Sequence, residues 1–532
     1  MLAYASSISM QFTCCRGDWS PLLWCRTSAG DAIMGSRVPA SGRRIRDAVH
    51  EHNRHGRWCR VARAGGMDDA RIVGSTEAVR QRMRTGHLDD LALYCDEYEL
   101  TMADSFVRHG QADDLVSFEL SVRHLPSNRG CLVVAGLAQA VEYLRNLRFT
   151  DEQCAFLRDQ GVLSHSAIAE FSRLRFSGDV DAIPEGTCVG AGVPVLRVVA
   201  RRVEATIVES ALLALINHQT MVASKAVRIV MAAGSRGVWD YSLRRLHGPQ
   251  AAPEVARAAY IAGCSGTATV EAAARYGVPT TGTMAHHYVM AFGADGEKHA
   301  FAQFLRDFPD RGVLLIDTFD SHRGIEQAIA ASRETGISPR GVRLDSGDFA
   351  ALAREARAML DAAGLFRTLI VASGDLDEWR IAELVAAGAP IDSFGVGTRL
   401  GTSFDAPAVG GVYKLVAQGG DDGGAHPVLK RSTLKSTDPG QHQVFRHPDF
   451  DEIALVDEQR NGEPMLCPVL RHGDLVADLP SLEENRDRCV AERAWHTAET
   501  FRPTDPVPRR VERSPELLGL MRRLLAAGER AS

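Results

Sequence analysis

The sequence predicts an α/β fold in which short parallel strands alternate with amphipathic helices. Four short apolar runs between Val313 and Arg399 are separated by helical patterns at roughly 321–333, 349–363 and 377–387. This alternation is typical of βα units in a parallel sheet or barrel, whose functional loops follow the carboxyl ends of the strands. The four runs are Gly312–Asp317, Gly341–Asp345, Thr368–Ser373 and Ile391–Val396.

The ends of these strands carry polar residues that we expect to meet at one rim. Ser-Gly-Asp occurs at 346–348 and 373–375, each time before a helix, where a serine can cap and backbone N–H groups can hold an anion. Gly395-Val-Gly-Thr398 allows the close backbone approach that a phosphate cradle requires. Ser-Gly-Asp as a simple helix start is the alternative for either copy alone.

Aspartates at the same strand ends restrict the ligand. Their carboxylates repel a bare phosphate unless magnesium or sugar hydroxyls lie between. The rim therefore indicates a phosphosugar with a magnesium-bound pyrophosphate. The aspartates are Asp317, Asp345, Asp348 and Asp375.

Composition excludes several classes of protein. The 532 residues are 45% hydrophobic and 24% charged, with a net charge of -6 and a pI near 6.3, so no broad basic surface for nucleic acid or an acidic membrane is expected. No apolar run approaches the roughly 20 residues needed to span a bilayer. The eleven cysteines include no Cys-x-x-Cys, so we expect neither a zinc site nor a disulfide framework. Free thiols persist in a reducing compartment, so we expect a cytoplasmic protein.

Residues 1–66 differ from the rest, with ten arginines against four acids. Such a leader can be a transit peptide or a basic arm. Only five of the chain's 61 basic residues are lysine, however, so arginine abundance is a general bias and carries little targeting information. We interpret 1–66 as a disordered or wrongly assigned extension, with Met67 as the start.

A first α/β domain is expected over 67–200. It begins with a helix near 93–103 and continues with strands at Leu115–Val122 and Gly130–Ala135. A long buried helix over Glu204–Met231 follows, in which His218 is best explained as a hydrogen-bonded core histidine.

Two basic groups precede the rim in sequence. Arg244 and Arg245 stand before a glycine turn, where they can be a solvated surface or a bidentate clamp for phosphate or carboxylate. His286 and His287 are adjacent, which does not match the i, i+4 spacing of a zinc pair. A histidine on such a loop can be a general base or a phosphoryl acceptor, and both remain open from the residues alone.

Seven motifs in order resemble the nicotinate phosphoribosyltransferase family from about Leu88 to about Arg446. They are Asp96-Glu-Tyr-Glu-Leu-Thr-Met102, Leu243-Arg-Arg245, Gly282-Thr-Met-Ala-His286, Arg343-Leu-Asp-Ser-Gly-Asp348, Ser373-Gly-Asp-Leu-Asp-Glu378, Gly395-Val-Gly-Thr-Arg-Leu400 and Val412-Tyr-Lys-Leu415. The resemblance implies an irregular (β/α) barrel of the type II phosphoribosyltransferase kind over 201–411. An additional α/β domain would form from 67–200 and a C-terminal segment, 412–532, that packs back on it.

The resemblance also implies a reaction and a homodimer with shared active sites. Nicotinate and phosphoribosyl pyrophosphate would give nicotinate mononucleotide and pyrophosphate, with Mg²⁺ and with ATP hydrolysis coupled through a phosphohistidine at His286. Tyr98 would stack on the pyridine ring from the partner subunit, and Asp345 and Asp348 would lie near the ribose and magnesium. The residues implied in catalysis are His286, Arg343, Asp345 and Asp348. Those implied in substrate binding are Tyr98, Arg244, Thr283, Ser346, Ser373, Gly374, Asp375, Gly395, Gly397 and Thr398.

Some positions depart from the family pattern and bear on rival functions. Tyr241-Ser242 stands where Phe-Gly is usual, and His287 stands where serine is common. Nicotinamide phosphoribosyltransferases resemble the chain but carry an aspartate at the position of Ala268, so nicotinate is favoured. A non-catalytic nucleotide-binding paralogue is the other alternative, and the absence of lysine at the strand tips disfavours a Schiff-base barrel enzyme.

Overall fold

The computed structural model describes residues 91–420, 424–430 and 437–531, together with two paired two-residue strands, Met10–Gln11 and Leu22–Leu23. The chain divides into two compact units, 1–76 and 77–532, and the two short strands belong to the first. All other elements belong to the second unit. Apart from those strands, the extension at 1–66 and the proposed start at Met67 lie outside the described residues.

The second unit contains sixteen helices and nineteen strands among its described residues. Its first part contains α1 (Glu97–Arg108), β1 (Leu115–Val122), β2 (Leu132–Val133), α2 (Leu137–Asn146), α3 (Asp151–Gln160), α4 (His165–Arg173), β3 (Asp179–Ala182), β4 (Cys188–Val189) and β5 (Pro194–Arg201). Its middle part contains α5 (Arg202–Ile207), α6 (Glu209–Ala233), β6 (Gly237–Asp240), α7 (Ala251–Ile261), β7 (Gly266–Thr267), α8 (Val270–Tyr276), α9 (His286–Met290), α10 (Glu297–Asp307), β8 (Val313–Leu315), α11 (Ser321–Thr335), β9 (Gly341–Leu344), α12 (Phe349–Ala362), β10 (Leu369–Ser373), α13 (Glu378–Ala386), β11 (Ser393–Val396) and α14 (Thr398–Gly401). Its last part contains β12 (Gly411–Gly419), β13 (Ala425–Pro427), β14 (His442–Arg446), β15 (Phe450–Leu455), β16 (Glu463–Pro464), β17 (Cys467–Arg471), β18 (Asp474–Leu475), α15 (Leu482–Trp495), β19 (Arg510–Arg513) and α16 (Pro515–Ala531).

The middle part forms a six-stranded parallel sheet in the order β8-β9-β10-β11-β6-β7. This confirms the predicted α/β class, and α11, α12 and α13 begin within one residue of the predicted helix starts. A single parallel bridge between Thr267 and Thr280 extends the sheet beyond β7. Among residues 237–396, no strand pairing joins β8 at one edge of the sheet to Thr280 at the other edge. The strand pairings therefore define a parallel sheet and not a closed ring.

Local sequence explains the ends of these helices. Asp320 accepts a hydrogen bond from the backbone N–H of Arg323 at 2.8 Å and so caps the first turn of α11. The helix ends where Gly336 adopts φ +70°, which leaves the right-handed helical region at no steric cost.

A second, seven-stranded sheet has the order β13-β12-β1-β5-β3-β17-β18. All of its pairings are antiparallel, and β1 lies between β12 and β5. Strands from before residue 202 therefore share one sheet with strands from after residue 410. The domain boundaries near 200 and 411 remain predictions, because 77–532 is one compact unit.

The prediction of one continuous helix over 204–231 is wrong at Val208, which separates α5 from α6. The backbone N–H of Ser210 donates to Glu99 Oε1 at 3.1 Å and not to a carbonyl four residues earlier. A carboxylate from α1 thus replaces one helical hydrogen bond at the break. Residues 277–282 contribute to the parallel sheet only the isolated bridge at Thr280.

Helix α6 connects the two hydrophobic cores of the unit. Its first turns, with Leu212 and Ile216, pack in the core beneath the antiparallel sheet. Its later turns, with Val222 and Ile229, pack in the core of the parallel sheet. Displacing α6 would therefore disturb both layers.

A buried ionic cluster fixes α6 against α13. Lys225 Nζ lies 2.5 Å from Glu378 Oε2, and these side chains are only 1% and 0% exposed. Arg228 contacts the other Glu378 oxygen at 2.7 Å, and Asp405 binds Lys225, Arg228 and Arg129. Because an unpaired buried charge is costly, all of these groups must be present together.

The first prediction concerns this cluster. We expect Glu378→Gln to lower the free energy of unfolding by about 3–5 kcal/mol, since it leaves buried cations short of one counter-charge. Urea unfolding followed by circular dichroism measures the change. Glu383→Gln is the matched control on the same helix, because Glu383 pairs with Arg380 at the surface and should contribute less than about 1 kcal/mol. Equal effects of the two substitutions would contradict the prediction.

Candidate active site

Hydrogen bonds connect three neighbouring strand ends of the parallel sheet. Asp317, two residues after β8, accepts at Oδ2 from the backbone N–H of Asp345 at 2.8 Å and from Ser346 Oγ at 2.9 Å. Asp345, directly after β9, accepts at Oδ1 from Ser373 Oγ at the end of β10 at 2.5 Å. The predicted rim therefore exists, and its acidic residues also hold its loops in place.

His286 lies at this rim, at the first residue of α9. Its Nδ1 is 3.1 Å from Thr318 Oγ1, and its Nε2 is 3.9 Å from Asp345 Oδ2. The side chain is 42% exposed. The hydrogen bond at Nδ1 orients the ring and leaves Nε2 facing Asp345.

Arg343 joins the segment before α9 to β9. Its NH1 donates to Thr283 Oγ1 at 2.7 Å and to the Met284 carbonyl at 3.2 Å, while NH2 lies 3.6 Å from Asp345 Oδ1. The buried Nε atom has no hydrogen-bond partner among the described residues. Arg343, Thr283 and Asp345 thus form one contiguous polar group.

Two positions at the rim have no space for a side chain and therefore require glycine. Gly374 has φ +103°, and a Cβ there would lie 2.1 Å from the Asp345 carbonyl oxygen. A Cβ at Gly395 would lie 2.4 Å from the ring of Tyr241. Backbone at both positions is therefore closely packed, and any side chain would push the strand ends apart. Gly397 and Thr398 follow directly, at the start of the four-residue α14.

The expectation that serine caps the helices after Ser-Gly-Asp is wrong in both copies. Asp348 caps α12 by accepting from the N–H groups of Ala350 and Ala351 at 3.1 and 3.2 Å. Asp377 caps α13 by accepting from the N–H of Arg380 at 2.9 Å. The serines are used elsewhere, since Ser346 bonds Asp317 and Ser373 bonds Asp345.

Tyr98 and Arg244, two other predicted substrate-binding residues, lie apart from this group within the chain. Tyr98 lies on α1, is 46% exposed, and is adjacent to Glu209 and Ser210 at the start of α6. Desolvation and the Glu209 carboxylate raise the pKa of the Tyr98 phenol to about 12. Arg244 is exposed in the short 3-10 helix Leu243–Arg245. No contact of either side chain with the rim is found among the described residues.

Sequence reasoning gave no role to Tyr241, which the structure places in the site. Tyr241 directly follows β6, and its ring covers Gly395 while its hydroxyl bonds Thr281. Desolvation raises the pKa of this phenol, against the field of Arg343. Asp317 was predicted among the rim aspartates, but its hydrogen bonds to the loop after β9 were not foreseen. The strand-end rule that selected Asp345 would have selected Tyr241 too.

The acidic residues at the rim fit Mg²⁺ by the chemistry of their donors. Asp345 is partly exposed and Asp348 is exposed, and both present hard carboxylate oxygens of the kind that Mg²⁺ prefers. The buried Oδ1 of Asp317 lacks a hydrogen-bond partner in the described part of the chain, so a further acceptor is available beside them. Two carboxylates with substrate phosphates and water are a common way of holding this ion.

No helix in the described part of the chain is long and apolar enough to cross a membrane.

Comparisons with known proteins match nearly all of the unit described above. The nicotinate phosphoribosyltransferase (NAPRTase) N-terminal domain family matches residues 93–217, and the NAPRTase family matches residues 237–454. The chain is 43% identical over 404 residues to nicotinate phosphoribosyltransferase pncB2 of Mycobacterium tuberculosis, covering 74% of this chain and 85% of that protein. It is 42% identical over 390 residues to the Bacillus subtilis nicotinate phosphoribosyltransferase, covering 71% and 79%.

A solved structure agrees with these sequence matches. The crystal structure of human nicotinic acid phosphoribosyltransferase superposes with a TM-score of 0.71 at 27% identity, covering 81% of this chain and 99% of the human chain. Sequence and fold thus point to the same group of proteins over the same residues. The chain therefore belongs to the nicotinate phosphoribosyltransferase family.

Proposed function

We propose that the chain transfers the phosphoribosyl group of phosphoribosyl pyrophosphate to nicotinate, as a cytoplasmic enzyme of NAD biosynthesis. The products are nicotinate mononucleotide and pyrophosphate. The observation that carries the proposal is the connected group of Asp317, Asp345 and Ser373, with His286 and Arg343 directed at it. This group combines carboxylates that can bind a sugar with the Arg343 guanidinium and with His286 as a phosphoryl acceptor.

The geometry supplies what the transfer needs. Loss of pyrophosphate leaves positive charge on the ribose carbon, so a fixed negative charge near the sugar stabilises the transition state. Asp345 is held by Ser373 and can accept from ribose hydroxyls without rearranging. Asp345 and Asp348 would hold Mg²⁺, which supplies charge neutralisation for the pyrophosphate when bound. Gly374 and Gly395 let the strand ends pack closely beneath the proposed phosphate site, because a side chain at either position would meet Asp345 or Tyr241.

ATP hydrolysis is coupled to the transfer through His286. A phosphoryl group on this imidazole adds negative charge beside Asp345 and changes the electrostatics of the rim. The hydrogen bond between His286 Nδ1 and Thr318 Oγ1 keeps the ring in one orientation for that step. Hydrolysis of the phosphohistidine then makes an otherwise poorly favourable transfer effectively one-way.

Nicotinate is preferred over nicotinamide because of the residues near β7. The backbone N–H of Ala268 donates to the Asp240 carbonyl at 2.8 Å, and its methyl side chain offers no acceptor to an amide. Asp240 is fully buried, and its carboxylate is occupied by Thr267 Oγ1 and the N–H of Ser242. A negatively charged substrate therefore meets no uncompensated acid there, and Arg343 can face its carboxylate.

The partner subunit of a homodimer completes the ring-binding site with Tyr98. Within one chain, Tyr98 is exposed and stands beside Ser210, apart from His286 and Asp345. An exposed tyrosine supplies a flat apolar face at low entropic cost to an adjacent chain.

The decisive experiment measures mononucleotide formation by the purified full chain with phosphoribosyl pyrophosphate and Mg²⁺. Nicotinate and nicotinamide are compared, each with and without ATP. Formation of nicotinate mononucleotide, increased by ATP, is the expected result. Product from nicotinamide alone would favour the nicotinamide enzyme, and no product from either substrate would favour a non-catalytic nucleotide-binding paralogue.

The second prediction tests the histidine. His286→Ala should abolish ATP stimulation, so that the rates with and without ATP differ by a factor of about one, while basal transfer persists. The reason is that the acceptor for the phosphoryl group is removed. Initial rates with and without ATP give the ratio. His287→Ala is the matched control on the adjacent residue, and it should retain the ATP response. An unchanged response in His286→Ala would refute the assigned role.

The third prediction tests the stacking tyrosine. Tyr98→Ala should raise the KM for nicotinate roughly 3- to 10-fold, the loss expected for one aromatic contact of about 0.5–1.5 kcal/mol. Tyr94→Ala, which removes an exposed tyrosine four residues earlier, should leave the KM close to that of the parent chain. If only the KM for phosphoribosyl pyrophosphate changes in Tyr98→Ala, Tyr98 does not contact the ring.

The fourth prediction tests the crowded strand ends. Gly374→Ala should lower kcat/KM for phosphoribosyl pyrophosphate at least about tenfold, because the new Cβ meets the Asp345 carbonyl in a backbone region that costs alanine roughly 1–3 kcal/mol. Gly388→Ala is the control, since Gly388 also has positive φ but a methyl group added there would have no neighbouring atom within 4 Å. Equal activities of the two variants would show that Gly374 is not needed for the phosphate site.

A further inference from the structure

Three metal-binding side chains converge between α15 and the ribbon formed by β2 and β4. They are Cys188 in β4, Glu492 in α15 and His496 directly after α15. One donor atom from each lies within 4.8 Å of the other two. Cys188 is fully buried and His496 is 7% exposed, so the group lies in the interior.

Two more buried thiols surround this group. Helix α15 carries Cys489, Glu492 and His496 at i, i+3 and i+7, which places them on one face. Cys131, just before β2, is in hydrogen-bonding contact with the thiol of Cys188. The ribbon holds the two strands in register, with Val133 opposite Cys188. Sulfur, nitrogen and oxygen donors thus approach one point from two sides.

One donor in the group is unsatisfied. His496 Nε2 is buried and makes no hydrogen bond of acceptable geometry among the described residues, although Glu492 Oε2 lies 3.3 Å away. Leaving such a polar atom buried without a partner costs roughly 1–3 kcal/mol. A ligand that accepts the imidazole lone pair removes that cost.

The carboxylate of Glu492 is held in place by its neighbours. Arg446 NH1 lies 2.6 Å from both oxygens, and the backbone N–H of Cys188 donates to Oε2 at 3.0 Å. An ionised carboxylate has about four acceptor positions, so these bonds do not exhaust it. Arginine and amide contacts of this kind commonly orient a metal ligand from outside the coordination shell.

We propose that Cys188, Glu492 and His496 bind a zinc ion. Zinc takes sulfur, nitrogen and oxygen donors in tetrahedral sites, and with three protein ligands a water molecule fills the fourth position. Metal–ligand bonds of about 2.0–2.3 Å place tetrahedral donors roughly 3.5 Å apart. The contact between Glu492 and His496 already has about that length at 3.3 Å, and the other two donor pairs, which lie within 4.8 Å, need to close by about 1.3 Å or less.

Charge balance supports a doubly charged metal ion. Binding releases the proton of the Cys188 thiol, so one thiolate and one carboxylate balance the two charges of Zn²⁺. Arg446 contacts Glu492 from outside this neutral group. The ion would tie α15 to the ribbon and so stabilise the attachment of the C-terminal segment.

This site could not be found from spacing in the sequence. The sequence has no Cys-x-x-Cys, and Cys188 and Glu492 are separated by 304 positions. Only the packing of α15 on β4 places them together.

The test is zinc binding by the full chain, independently of catalysis. Protein prepared with chelator is titrated with Zn²⁺ against a chromophoric competitor, and the bound metal is counted after gel filtration. We expect one zinc per chain. Co²⁺ alone should produce the near-ultraviolet absorption of a cobalt–thiolate bond together with the visible bands of tetrahedral cobalt.

Variants connect the binding to these residues. Cys188→Ser and His496→Ala should each weaken zinc binding at least about tenfold. Cys154→Ser is the matched control, because Cys154 is a buried free cysteine on α3 outside the group. Circular dichroism checks that each variant is folded, and the cobalt spectrum of the parent chain reports sulfur ligation even where a variant fails to fold.

Two results would overturn the proposal. One is the absence of zinc binding and of a cobalt–thiolate band in the parent chain at excess metal. The other is unchanged zinc affinity in folded Cys188→Ser and His496→Ala. Either result would leave the group as a buried hydrogen-bonded cluster without a metal.

Discussion

The buried ion pair between Lys225 and Glu378 is the interaction on which the arrangement of the site depends. Lys225 lies on α6, which packs in both hydrophobic cores, and Glu378 begins α13, three residues after Asp375. Trp379 adds its ring face to Lys225 and Arg228, at 4.9 and 5.0 Å from the cations. A cluster of this kind is stable only with every partner in place, so it sets the position of the loop after β10 as strictly as that of the helices.

Electrostatics in this cluster also determine its response to pH. Burial acts to raise the pKa of the Asp405 carboxyl, but Arg129 and Lys225 outweigh it and hold this pKa well below its usual range. A carboxyl with a lowered folded-state pKa stabilises the fold above its unfolded pKa of about 3.9 and loses that contribution as pH falls further. The Asp405 carboxyl therefore stays ionised throughout the neutral range. Its titration does not contribute to changes in activity between about pH 6 and pH 8.

Local sequence predicted the parallel strands and the helices after them, because the spacing of apolar residues and the residues at strand ends are local properties. It failed wherever a distant side chain competed for a local bond. The Glu99 carboxylate accepts a hydrogen bond from the N–H of Ser210. It thereby interrupts a helix that the spacing of apolar residues predicted to be continuous. Ser373 bonds Asp345 from the adjacent strand and so leaves the capping position to Asp377. The place of Tyr98 likewise depends on α1 packing against α5 at the start of α6, which no residue near Tyr98 indicates.

The separation of Tyr98 from the rim follows from the same helix that supports the rim. Glu99 binds Ser210 at the start of α6. Lys225, which lies fifteen residues after Ser210 on the same helix, binds Glu378. At about 1.5 Å per residue these two attachment points are roughly 22 Å apart along the axis. Within one chain, Tyr98 stands near the first point, and the loop after β10 that carries Asp375 lies near the second. Because α6 is continuous over Glu209–Ala233, the geometry of one chain supports the proposal of a shared site between two.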